Sequence, residues 1–217
     1  MASRVLHYLI ADLVSKAIDV KDFNRFAVGS LAPDISSHED GSYDIAHFGR
    51  TNESKRIKGI KWTDFAQKYK KEVLTDDLYL GYYTHLITDA IWFKNIANKY
   101  IRIYPKAEQK PYLQKGYRDY LKLNALFIKK YKLTDSIQWI DEIHIDEIKK
   151  QYISTVHHLF QEDFKCELYD DDSLELYKIE DIHAFVDFCV ERAVHEIKML
   201  LTNGAQGDPE EFYAKLV

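Results

Sequence analysis

The stretch from Gly81 to Phe93, Gly-Tyr-Tyr-Thr-His-Leu-Ile-Thr-Asp-Ala-Ile-Trp-Phe, sets one histidine and one carboxylate inside an otherwise apolar run. At helical spacing His85 and Asp89 are i and i+4, one above the other, with Cβ atoms roughly 5–6 Å apart. At about 100° per residue, the same face carries Leu74, Leu78, Tyr82, Trp92 and Ile96. Leu80, Tyr83 and Ile87 fall on the opposite side. The predicted helix over 76–101, capped by Thr75 or Asp76, is therefore apolar nearly all round and belongs at the centre of a fold. A buried imidazole and carboxylate must find partners there, because unpaired they cost several kcal/mol or lose their charge. Metal, hydrogen-bonded neighbours or both would satisfy them.

Around this helix the rest of the chain reads as further helices. Residues 3–18 place Leu6, Ile10, Val14, Ala17 and Ile18 on one face, with His7 inside it. An amphipathic piece, 22–31, runs into Ala32-Pro33-Asp34-Ile35, where Pro33 biases Ala32 away from helix and a turn presents Asp34. Residues 36–60, rich in Ser, Asp, Gly, Lys and Arg, read as a loop long enough to be functional, with His47 between Ala46 and Phe48. Later helices are predicted over 62–73, 112–131, 136–163 (as one or two) and 173–201, with a short one after Pro209. In the 112–131 helix Tyr117, Tyr120, Leu121, Ala125 and Ile128 form the packing side, and the aspartates at 170–172 form a loop. No alternating run of strand length stands out. The expectation is an all-α fold, a single-domain multi-helix bundle over residues 1–217.

Charge and targeting signals exclude some functions. With 30 basic and 35 acidic residues the formal charge is -5, which disfavours a general nucleic-acid or anionic-membrane binder. The apolar run at the N-terminus is broken by His7 and Asp12 and does not read as a signal peptide. No segment offers the ~18 uncharged apolar residues of a membrane span. Cys166 and Cys189 lack metal or redox spacing and suit a reducing compartment. A cytoplasmic protein is expected.

Three polar groupings compete for a site. His183, Asp187, Glu191 and His195 recur at i+4 on the 173–201 helix, but Ile182, Val186, Cys189, Ala193 and Ile197 define its buried stripe, so the row is read as solvated surface. His144, His157 and His158 have no spacing that selects them. The remaining set is His7, Asp34, His47, His85 and Asp89, two histidines and a carboxylate from apolar helix faces and two residues from loops. Uniform imidazole and carboxylate chemistry suits Zn²⁺, with Fe or Mn also possible, and excludes thiolate sites. Each of the five also has a bland reading, as a core polar group satisfied without metal.

The order of these residues resembles the bacterial zinc-dependent phospholipase C family, which is related in fold to the S1/P1 nucleases. The matching residues are His7, the Gly29-Ser30-Leu31-Ala32-Pro33-Asp34 turn, His47-Phe48, and Gly81-Tyr82-x-x-His85-x-x-x-Asp89, all within about the first 95 residues. The resemblance implies a phospholipase C/P1 nuclease-like helical fold, with the metal half in about residues 1–100 and helical support from 105–217. It implies that Asp34, His47, His85 and Asp89 hold one zinc, that His7 and a bridging Asp89 help hold a second, and that Asp34 orients or deprotonates the attacking water. The implied activity is metal-dependent hydrolysis of a small phosphoester substrate.

The chain departs from that family twice. Secreted members complete the second site with the mature amino terminus, whereas here Met1 lies six residues before His7 and no removable leader is expected. They also supply a His, His, Glu set beyond the His-x-x-x-Asp helix, whereas this chain has no histidine between Asp89 and His144. One or two ions are expected rather than three. The basic residues Arg50, Lys55, Arg56, Lys58 and Lys61 either attract a substrate phosphate or are solvated loop charges. The rival readings are a nucleotide or sugar phosphate hydrolase on the same site, and a non-catalytic helical protein that holds metal for structure or sensing.

Overall fold

The computed structural model describes residues 2–140, 142–166 and 174–215, so the aspartates at 170–172 and Ser173 lie outside the described residues. The chain is mostly helical. Its helices are α1 (Arg4–Ser15), α2 (Phe23–Leu31), α3 (Ser42–Ala46), α4 (Trp62–Lys68), α5 (Asp77–Ile91), α6 (Asn98–Tyr100), α7 (Gln109–Tyr131), α8 (Ile153–Asp163) and α9 (Ile179–Leu201). A π-helical turn, Trp92–Ala97, joins α5 to α6. No helix among the described residues is long and apolar enough to cross a membrane.

Side-chain caps set where the central helices begin. Asp76 accepts from the Leu78 N–H and so starts α5, while Asp22 does the same for α2 through Arg25, each satisfying an orphan donor of a first turn. The two caps are cross-linked: Arg25 reaches Asp76 and the Asp22 N–H reaches Asp77. From there α2 and α5 run in very close contact. A Cβ on Gly29 would lie 2.0 Å from the Leu78 carbonyl oxygen, and one on Gly81 would lie 2.0 Å from the Phe26 carbonyl oxygen. Only glycine permits that approach. α5 is buried along its length from Leu78 to Ile91, as an apolar-all-round helix should be, and packs against α1, α2, α4 and α9.

Several sequence expectations need correction. Residues 36–60 are not a loop: they contain α3 and a hairpin, β1 (Gly49–Asn52) with β2 (Ile57–Ile60), in register Gly49↔Ile60. A third antiparallel strand, β3 (Ala214–Lys215), joins β2 beyond the 3₁₀ turn Pro209–Phe212, so a small sheet accompanies the helices. These strands are too short for alternation to announce them. Ala32 keeps helical dihedrals (φ -63°, ψ -35°) despite preceding Pro33, because Ala32–Asp34 continues α2 as a 3₁₀ turn.

Between Leu133 and Lys149 no helix forms among the described residues. Ile137, Ile140, Ile143, Ile145 and Ile148 pack there instead, and β-branched side chains favour such extended backbone. On α7 the buried side is turned from the predicted one. Of the predicted side Ala125 is buried and Tyr120 packs on the core, but Gly116, Asp119, Leu123 and Phe127 are also inside, whereas Tyr117 and Leu121 are exposed. Buried Asp119 explains the rotation, since its carboxylate accepts from the backbone N–H groups of Glu175, Leu176 and Tyr177 at 2.7, 2.9 and 3.0 Å. Leu74, expected beside His85, sits exposed in a 3₁₀ turn before α5 starts.

The α2–α5 contact yields a direct test. Gly81→Ala should lower stability by about 1–3 kcal/mol, the usual cost of overpacking, measured as a fall in the urea midpoint at unchanged slope. An unaltered midpoint would show that the two backbones do not depend on that contact.

Candidate metal centre

Because Gly29 and Gly81 let α2 approach α5, the Ser30 carbonyl comes within 2.7 Å of His85 Nδ1. A carbonyl only accepts, so Nδ1 carries the proton and Nε2 is the free nitrogen. His47 is fixed the same way, with Nδ1 2.9 Å from the Tyr43 carbonyl one turn back on α3. The chain then bends sharply, Phe48 taking φ 50° as it passes from α3 to β1, a rare conformation for a bulky residue. Phe48 is anchored edge-on against Phe65.

The two free nitrogens converge. His85 Nε2 and His47 Nε2 are 3.2 Å apart. Asp89 Oδ2 lies 3.5 Å from His47 Nε2 and 3.6 Å from His85 Nε2, and Asp34 Oδ1 lies 3.8 Å from His47 Nε2. The second Asp89 oxygen, Oδ1, is 3.2 Å from His7 Nε2 and accepts from the Ala2 N–H at 2.9 Å. The His7 and His85 rings stack at 3.7 Å. His7, His47, His85 and Asp89 are all buried, and Asp34 is nearly so.

Hydrogen bonding leaves much of this cluster unsatisfied. Neither nitrogen of His7, neither oxygen of Asp34 and not the Oδ2 of Asp89 has an aligned hydrogen-bond partner; the short His7–Asp89 contact is close but poorly directed. Buried polar atoms are normally paired. One proton on His85 could bridge to His47 or Asp89, but it could not serve the others. A cation could. With Zn–N of about 2.0–2.1 Å, tetrahedral ligand atoms sit roughly 3.3 Å from each other, near the separations seen. Backbone carbonyls that hold the far ring nitrogens are also the usual outer support of metal-binding histidines.

Two triads could hold an ion: His7, His85 and Asp89, and Asp34, His47 and His85. They share His85, whose single free nitrogen can serve one ion only, whereas Asp89 can face both through its two oxygens. Protonation follows from burial and charge. Burial, then the neighbouring His85, pushes His7 down, and the same two causes bring His47 down to about 4. Burial also pushes down on His85, but Asp89 and Asp34 outweigh it and leave it raised. Burial alone would raise Asp89; the positive groups around it, His7 and His85 among them, hold it well below the usual carboxylate range.

All five sequence-predicted residues thus meet in one place, and the excluded ones stay away. His144 and His158 are exposed, His157 stacks on Trp139, and Asp187, Glu191 and His195 face solvent. Arg50 and Lys61 pair with Asp64, and Lys55 pairs with Glu210, so these three basic residues are engaged on the surface. Tyr43 also lies at the cluster, although it is not among the sequence-predicted residues. Its ring stacks on His47 at 3.9 Å, and burial, with Asp89 and Asp34 nearby, pushes its phenol well above 10, so it stays a neutral donor. Its place one helical turn before His47 was the available signal.

Compared with protein-family models, curated proteins and solved structures, the chain matches none.

The lowered His47 predicts the acid response of chelated protein. Unfolded histidine binds its proton near 6.5, and folded His47 binds it only near 4. The unfolded state therefore takes up the proton first as pH falls. The His47 contribution to stability, whole above 6.5, should decline by on the order of 1 kcal/mol per pH unit towards 4. The urea midpoint should fall less steeply over this window in His47→Gln than in the unaltered chain. Equal slopes would refute the assignment.

Proposed function

We propose that this protein is a metal-dependent phosphoester hydrolase resembling the zinc-dependent phospholipases C, with one or two zinc ions held by His7, Asp34, His47, His85 and Asp89. The observation that carries this reading is the pair of ring nitrogens 3.2 Å apart, each left free because the other nitrogen of its ring is engaged by a backbone carbonyl. All-nitrogen-and-oxygen donors suit zinc, with iron or manganese as substitutes. The order of the five residues along the chain supports the family likeness.

A bound divalent ion lowers the pKa of water towards ~7 and polarises a phosphoryl oxygen. The chain's own residues do the rest. Asp34, the least enclosed of the five, with 6% of its side chain exposed and both oxygens uncommitted, orients the attacking water and accepts its proton. Asp89, ionised and facing both triads, balances positive charge. His47 and His85 cannot swing, because their Nδ1–H groups are tied to Tyr43 and Ser30. Tyr43, protonated beside the cluster, can donate to an anionic oxygen of the substrate.

The close burial of His7, His85 and Asp89 favours a second reading, a metal held for structure or sensing with no turnover. Elemental analysis and hydrolysis of bis-p-nitrophenyl phosphate, p-nitrophenyl phosphate and p-nitrophenyl phosphocholine separate the two. On the catalytic reading the zinc-loaded chain turns over at least one of these esters. Asp34→Asn, which still offers a ligand oxygen, should keep metal but lower kcat by about 10²-fold or more, and His85→Ala should lose both metal and activity. Metal bound by the unaltered chain and lost in His85→Ala, with only background hydrolysis throughout, establishes the second reading instead.

A further inference from the structure

The π turn Trp92–Ala97 and α7 enclose a cavity of about 190 Å³, the liquid volume of about six waters. Its walls are the rings of Trp92, Tyr120 and Tyr177, and its open rim carries Leu113 and Tyr117, which are 40% and 63% exposed. Among the described residues one cation lines it, Arg102. The Arg102 guanidinium lies 4.4 Å over the Phe93 ring, and one terminal nitrogen donates to the Lys215 carbonyl at 3.2 Å.

Arg102 is charged and incompletely paired. Its Nε is buried without a hydrogen-bond partner, and among the described residues no carboxylate lies within 4.0 Å of it. By contrast Arg4, Arg25, Arg50, Arg118 and Arg192 each have one, in Asp163, Asp76, Asp64, Glu175 and Glu196. Burial pushes its pKa down with nothing to offset it. A guanidinium presents a planar fork that matches a carboxylate, and the match strengthens where water is excluded. Aromatic walls select a flat apolar body. The π turn displaces Trp92 and Phe93 from regular helical positions, and such turns recur at binding sites.

We propose that this cavity is a binding site for a small aromatic carboxylate, with Arg102 as its anion anchor and the Trp92, Tyr120 and Tyr177 rings as its walls. None of the lining residues belongs to the His/Asp cluster.

Benzoate is the probe, titrated into the full chain by calorimetry and by intrinsic tryptophan fluorescence, with benzamide as its uncharged isostere. Benzoate should bind saturably with Kd on the order of 1 mM or tighter, and benzamide about tenfold or more weaker. Arg102→Gln should weaken benzoate about tenfold or more, with helical circular dichroism and metal content unchanged. Leu113→Trp, which fills the cavity from its exposed rim, should do the same and decides the matter if Arg102→Gln fails to fold. No saturable binding of benzoate by the unaltered chain at about 10 mM overturns the proposal, as does equal affinity for benzamide, or equal benzoate affinity in folded Arg102→Gln or Leu113→Trp.

Discussion

The contact of α2 with α5 through Gly29 and Gly81 is the constraint on which the rest of the structure depends. It removes two Cβ atoms so that backbone meets backbone, and that single approach has consequences at three scales. Locally it brings the Ser30 carbonyl to His85 and thereby chooses which ring nitrogen is free. One turn further, α2 ends at Leu31 and continues as the 3₁₀ turn that delivers Asp34 to the same place. Globally it lets α5 be wrapped on all sides. A wider crossing, with ordinary side chains between the helices, would leave both Asp34 and the Ser30 carbonyl several ångströms short of His85.

Buried polar groups in this chain divide by how they are satisfied. Asp119 is buried, yet three backbone N–H groups saturate it, so it is a structural clamp that needs nothing else. Glu196 is likewise held by Arg192 and the Gly207 N–H. The His7, Asp34, His47, His85 and Asp89 cluster differs because the backbone partners of His47 and His85 are spent on orienting those rings, while five side-chain atoms of His7, Asp34 and Asp89 have no hydrogen-bond partner. An unsatisfied group in a native core is costly. Five of them converging is a cost that a ligand can repay, which is why the same polar residue types carry different weight at the two places.

The sequence made the central features legible for physical reasons. An apolar helix with one polar pair announces both its burial and its need for partners, so α5, His85 and Asp89 could be read directly. His7 was legible as a histidine on an apolar face, and Asp34 as a carboxylate at a Pro turn. The hairpin Gly49–Ile60 was not, because four-residue strands give too few positions for a period and their partner strand, Ala214–Lys215, lies far along the chain. The missing helix over 136–149 shows the opposite failure, in which isoleucines spaced by two and three fit either period until tertiary packing chooses. The rotation of α7 traces to Asp119, since a buried carboxylate breaks the rule by which polar residues mark the outside.

Tyr43 connects these threads. It belongs to α3, in the segment whose composition predicts a loop, and it supplies both the carbonyl that orients His47 and the ring that stacks on it. The loop 37–42 that leads into α3 is itself tied down, with Asp40 held by Lys149 and Tyr152 and the Ser37 N–H bonded to Ser42. His47 is thus tied through Nδ1 to a backbone carbonyl just as His85 is, although one caps the end of a five-residue helix and the other sits on the central one. Rings held in place before a ligand arrives are preorganised for it, so that binding need not repay the ordering of those side chains. The sharp turn at Phe48, with φ 50°, is local strain placed one residue beyond His47.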